Sequence, residues 1–124
     1  MPKLKLLIAE DSKSMQNFYR TMLSADHYEQ KIVPDGEQAL EEYKAWRPDI
    51  ILLDMNMPVM NGYQTLKTIR ESCLDKSTTI IMVTSASEKH DIIACAKLGI
   101  QGYIVKPFKA EAINKAILQY HKVS

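Results

Sequence analysis

The chain holds two cysteines, four glycines, two phenylalanines and one tryptophan in 124 residues. Cys73 and Cys95 lie far apart and have no companions at metal-ligand spacing. That excludes a zinc cluster or a disulfide scaffold and leaves two buried or half-buried free thiols. Excess charge is missing too: the formal net charge is +1, so no general attraction draws the chain to nucleic acid. No apolar run approaches the roughly 20 residues of a membrane span, and the start MPKLKLLIAEDS has no signal-peptide cleavage pattern. A cytoplasmic protein without direct contact to membrane or nucleic acid is expected. Repeats, low-complexity tracts and Gly/Ser linkers are absent, so residues 1–124 read as one domain. His27, His90 and His121 are scattered and read as surface residues.

What is present is alternation. Short apolar runs suited to buried strands occur at Leu4–Ala9, Glu29–Val33, Ile50–Leu53, Thr79–Val83 and Gly102–Val105. Helical spacing fills the gaps: Met15, Phe18, Tyr19, Met22 and Leu23 after a Ser12 cap, then Ala39, Leu40, Tyr43 and Trp46 after an Asp35 cap. Pro48 stops the second helix, because the residue before proline disfavours helix. Leu66, Ile69 and Cys73 continue the rhythm, Asp91–Leu98 ends at Gly99, and Ile113, Ala116, Ile117 and Tyr120 mark a last helix. Strands that are apolar on both faces, each followed by a helix, predict an α/β fold. It is a doubly wound five-stranded parallel sheet of flavodoxin-like (βα)5 type, with strand order 2-1-3-4-5. The segment HDIIACAKLG is apolar around much of its circumference, which suits either a contact surface or a deeply buried helix.

In such a sheet a ligand site lies beyond the carboxyl ends of the strands, at the switch in strand order. Strand one ends in Glu10 and Asp11, strand three in Asp54, strand four in Thr84 and Ser85, and strand five in Lys106 and Pro107. Any one of these has an ordinary structural explanation; their arrival at one sheet edge does not. Three neighbouring carboxylates need a counter-charge. Lys106 supplies one, and a hard divalent cation, Mg²⁺ or else Mn²⁺, suits an all-oxygen set.

The segments LIAEDS, ILLDMNMPVMNG, IIMVTSAS and GYIVKPF, in this order and spacing, resemble the receiver domain of bacterial two-component response regulators over essentially the whole chain. MQNFYRTML is similar to the first helix of chemotaxis-type single-domain members. The resemblance implies that Asp54 accepts a phosphoryl group from a sensor histidine kinase or phosphotransfer protein. It further implies that Asp11, Asp54 and the Asn56 backbone carbonyl ligate Mg²⁺, with Glu10 acting through water. Lys106 and Thr84 would hold phosphoryl oxygens, Tyr103 would be the switch aromatic, and Lys106–Pro107 would be a cis peptide. Output would pass to a protein partner through the face of helix four, strand five and helix five. The chain would be a phosphoacceptor rather than an enzyme, and a monomer or a dimer formed on phosphorylation. The alternative is the receiver portion of a longer DNA-binding transcriptional regulator. A haloacid dehalogenase-type phosphatase would want DxDx[TV] after strand one, where this chain has AEDSK. A flavin site would want a Ser-, Thr- and Gly-rich loop at the same place.

Overall fold

The computed structural model describes residues 2–121. Its elements run β1 (Leu4–Ala9), α1 (Lys13–Met22), β2 (Tyr28–Val33), α2 (Gly36–Trp46) and β3 (Ile50–Asp54), then α3 (Gly62–Lys67), β4 (Thr79–Ser85), α4 (Lys89–Leu98), β5 (Gly102–Lys106) and α5 (Ala110–Tyr120). A π-helical turn, Thr68–Ser72, extends α3, and a 3₁₀ turn, Ala86–Glu88, leads into α4. All neighbouring strands pair in parallel, in the order β2-β1-β3-β4-β5. The fold expectation is met.

Strand pleat explains why both faces are apolar. Leu6 and Ile8 of β1 join Leu52, Ile81, Val83, Ile113 and Ile117 in a core beneath α1 and α5. Leu7 and Ala9 join Ile51, Leu53, Met82, Leu40 and Leu66 on the opposite side, beneath α2, α3 and α4. Alternate residues point to opposite faces, so helices must cover both.

Caps act as expected: Ser12 Oγ accepts from Met15 N, and Asp35 Oδ1 accepts from Gln38 N at 2.8 Å. Asn61 and Gln64 add a reciprocal capping box at the start of α3. Arg47, ahead of Pro48, leaves the helix with φ 54°, and Gly99 closes α4 with φ 106°.

Several boundaries move. β2 begins at Tyr28, which pairs with Leu4 and is buried. β3 extends through Asp54, which pairs with Val83, and β5 through Lys106, which pairs with Ser85. α4 begins two residues before Asp91. It is not deeply buried, because Ile93 is 54% exposed while Cys95 faces the core. His121 also departs from the surface expectation: its Nδ1 lies 2.7 Å from Thr79 Oγ1. Both cysteines are free, with Cys95 buried and Cys73 half-buried.

Candidate functional site: a carboxylate cluster at the sheet edge

The chain leaves β1 for the sheet edge at β2, then returns to β3 on the other side of β1. This reversal opens the space between the carboxyl ends of β1 and β3. Glu10, Asp11 and Asp54 each place a carboxylate oxygen there, all within 4.8 Å of one another. Glu10 and Asp54 are buried and Asp11 is exposed. Residues far apart in the chain, from Glu10 to Asp54, thus meet at one point.

Lys106 reaches across from β5. Its Nζ donates to Glu10 Oε1 at 2.9 Å and lies 3.2 Å from Asp54 Oδ1. The other Glu10 oxygen accepts from Ser12 N at 3.0 Å. Burial works to lower the pKa of the Lys106 ammonium, but the two carboxylates outweigh it and hold the group charged above its usual range. One cation among three carboxylates leaves an excess of negative charge. Asp54 shows the consequence: burial first, then repulsion from Glu10, pushes its pKa up to about 7 despite Lys106.

This charge imbalance among hard oxygen donors fits a small divalent cation. A cleft of about 700 Å³ lies elsewhere, at the amino ends of β3 and β4 beside Tyr43, Arg47 and Thr78. The carboxylates do not line it, so the candidate site is marked by charge and not by volume.

Gly62 shapes the cluster from below. A Cβ there would meet the Asp54 carbonyl oxygen at 2.3 Å. Glycine therefore lets the loop from Met55 to Asn61 fold tightly over the end of β3, where Gly62 N donates to Met55 O at 2.9 Å. The Lys106–Pro107 peptide is cis.

Thr84 is buried at the end of β4, while Tyr103 on β5 is 47% exposed. Both line a mainly apolar groove of about 350 Å³ that also includes Ile92, Ile93 and Val105. Asn56 is exposed in the β3–α3 loop. A residue outside the expected set ties Thr84 to Asn56. The buried Glu88 accepts from Thr84 Oγ1 at 3.1 Å, from Ser85 N at 2.7 Å and from Asn56 Nδ2. The spacing Ser85-x-x-Glu88 has the capping-box form. That signal was legible, but not its reach to Asn56.

The response regulator receiver domain family matches residues 6–118 of this chain. A chemotaxis protein CheY from Halobacterium salinarum is 32% identical over 113 residues, covering 91% of this chain and 92% of that protein. A probable transcriptional regulator, ycf27 of Porphyridium aerugineum, is 34% identical over 94% of this chain, which spans about half (48%) of that relative's length. Among solved structures, the Vibrio cholerae chemotaxis protein CheY4 superposes with a TM-score of 0.87 at 31% identity, over 96% of this chain and 99% of its own. The receiver domain of the Pseudomonas aeruginosa sensor histidine kinase PA1611 gives a TM-score of 0.82 at 28% identity, over 96% of this chain and 98% of its own, and has a magnesium ion coordinated in its active-site cleft. With the match taking in every residue of the carboxylate cluster and all of the sheet but the first two residues of β1, this chain belongs to the response regulator receiver domain family.

Proposed function

We propose that the chain is a phosphorylation-dependent switch in which Asp54 accepts a phosphoryl group from a sensor histidine kinase or phosphotransfer protein. The observation that carries this reading is the position of Asp54: buried at the end of β3, against Glu10 and Asp11, with Lys106 Nζ 3.2 Å away. An Asp54 oxygen bonds to phosphorus as the bond from phosphorus to the donor's histidine nitrogen breaks. That nitrogen leaves with the electron pair. Such a transfer needs placement and charge neutralisation more than covalent assistance from the protein. Lys106 supplies a fixed positive charge for a phosphoryl oxygen.

Asp11, Asp54 and the Asn56 backbone carbonyl would hold Mg²⁺, with Glu10 assisting through water. When bound, the ion supplies further positive charge for the phosphoryl oxygens. The donor set of hard oxygens supports magnesium over softer metals. The acyl phosphate adds acceptor oxygens near the end of β4, and Thr84 would donate its hydroxyl to one of them. Tyr103, exposed in the groove beside Thr84, would then move inward and change the α4–β5–α5 face that a protein partner reads. In this reading the chain is a signalling protein, not an enzyme acting on a separate substrate. It works in the cytoplasm, as a monomer or as a dimer formed on phosphorylation. Among the described residues no helix is long and apolar enough to cross a membrane.

The match to about half of the ycf27 regulator favours a second reading, a receiver that controls a DNA-binding segment. Labelling with acetyl phosphate in the presence of Mg²⁺ tests the central proposal. Wild type should take up phosphate in an alkali-labile form, Asp54→Asn should not, and EDTA should abolish uptake. Labelling that survives Asp54→Asn at full rate would overturn it.

A further inference from the structure

We propose that Glu88 is a positioning residue for the phosphoryl site: a latch that holds the Thr84 hydroxyl and the Asn56 side chain in the resting state and must release Thr84 when the phosphoryl group arrives. The inference rests on the reading of Asp54 as phosphoacceptor. Its own evidence is the arrangement of three bonds on one buried carboxylate. Glu88 Oε1 accepts from Thr84 Oγ1 at 3.1 Å and from Ser85 N at 2.7 Å, while Oε2 accepts from Asn56 Nδ2.

A helix cap alone would need only the Ser85 N–H. The other two bonds reach outside the turn. One ends on β4 at Thr84, the other on the β3–α3 loop at Asn56, two residues beyond Asp54. Glu88 therefore joins the start of α4 to the end of β4 and to the loop that follows the acceptor. Burial disfavours its ionised form, yet the bonds from Ser85, Thr84 and Asn56 outweigh that and hold its carboxyl below the usual range. A charged acceptor makes each of these bonds stronger than a neutral pair would be.

The physical consequence is a competition. A hydroxyl has one proton to donate, so Thr84 cannot bond Glu88 and a phosphoryl oxygen at once. The resting bond opposes phosphoryl binding, and breaking it frees the first turn of α4. Ile92 and Ile93 on that helix line the groove with Tyr103. The same release that lets Thr84 turn toward Asp54 thus loosens the face through which the domain would signal. Coupling between site and surface runs through Glu88 in both directions.

The test is the affinity for beryllofluoride, a stand-in for the phosphoryl group, measured calorimetrically at saturating Mg²⁺. Glu88→Ala removes the latch. Glu88→Asp keeps the charge but draws the carboxylate back by one methylene, so it separates lost bonds from lost repulsion and gives a second variant should the alanine form fold poorly. Both should bind beryllofluoride about five- to tenfold more tightly than wild type, with affinity for Mg²⁺ alone changed less than about twofold. In a Thr84→Ala background the gain from Glu88→Asp should shrink below about threefold, because the competing donor is gone. An unchanged affinity in both Glu88 variants, or the same gain with and without Thr84, overturns the latch while leaving Asp54 as acceptor. No beryllofluoride uptake by wild type overturns the acceptor reading and the latch with it.

Discussion

Replacing Asp54 by asparagine should stabilise the metal-free protein, and by an amount that depends on pH. The carboxyl's pKa is raised to about 7, against 3.8 for an ordinary aspartate, because burial and Glu10 oppose its ionisation. Ionising the folded carboxyl fully against that resistance costs roughly 4 kcal/mol more than ionising it in the unfolded chain. Asparagine keeps the shape and removes the charge; the attraction to Lys106 across 3.2 Å is already contained in the raised pKa. A net gain of up to about 4 kcal/mol at pH 8 follows, equivalent to roughly 12–16 °C in Tm for a domain of this size. The sign is set by proton binding. Between about pH 4 and pH 7 the folded state retains a proton that the unfolded chain has released, so wild-type stability falls as pH rises through that window. The Asp54→Asn variant has no such loss. Thermal unfolding in EDTA should therefore show little difference between the two proteins near pH 4 and the full difference at pH 8. Added Mg²⁺ should raise wild type and leave Asp54→Asn nearly unmoved. A lower Tm for the variant, or a gain equal at both pH values, would refute the picture of a strained carboxylate cluster.

Three further outcomes follow from the same geometry. Lys106→Ala leaves Glu10 and Asp54 without their cation, so it should lower stability at pH 8 by about 1–3 kcal/mol, recover on acidification, and weaken beryllofluoride binding; calorimetry and thermal melts check both. Thr84→Ala should leave phosphate labelling of Asp54 largely intact but cut the beryllofluoride-induced gain in partner binding by at most about tenfold, because the lost phosphoryl bond of about 1–2 kcal/mol is partly offset by the lost resting bond to Glu88; an undiminished gain would remove Thr84 from the switch. Gly62→Ala forces a methyl toward the Asp54 carbonyl at 2.3 Å, backbone that cannot yield cheaply, so urea unfolding should show a loss of roughly 2–4 kcal/mol.

Local chemistry made most of the fold legible. Strand runs such as Ile50–Leu53, helical spacing such as Leu40 to Tyr43, and the caps Ser12 and Asp35 depend on neighbours within a few residues, and these appear in the structure where expected. The polar strand ends were legible for the same reason, since each follows its apolar run directly. Contacts set by distant residues were not. Arg70 is buried with Nε donating to Gly99 O at 2.8 Å and its other nitrogens to Asp75 O and Thr78 O at 2.9 Å, yet in the chain it looks like an ordinary helix-surface charge. The π-helical turn at Thr68–Ser72 holds this residue. His121 found Thr79 across 42 positions.

Which residues reach one sheet edge followed from the amino-acid order alone, because hydrophobic runs and parallel pairing leave little choice of where a strand stops. The charge state and engagement of those residues came from the three-dimensional arrangement. Lys106 bridges Glu10 and Asp54, and Glu88 joins Asn56 to Thr84, through side-chain bonds that cross the sheet and its loops. Burial and Coulomb interaction depend on distance in space, and separation along the chain carries no record of it.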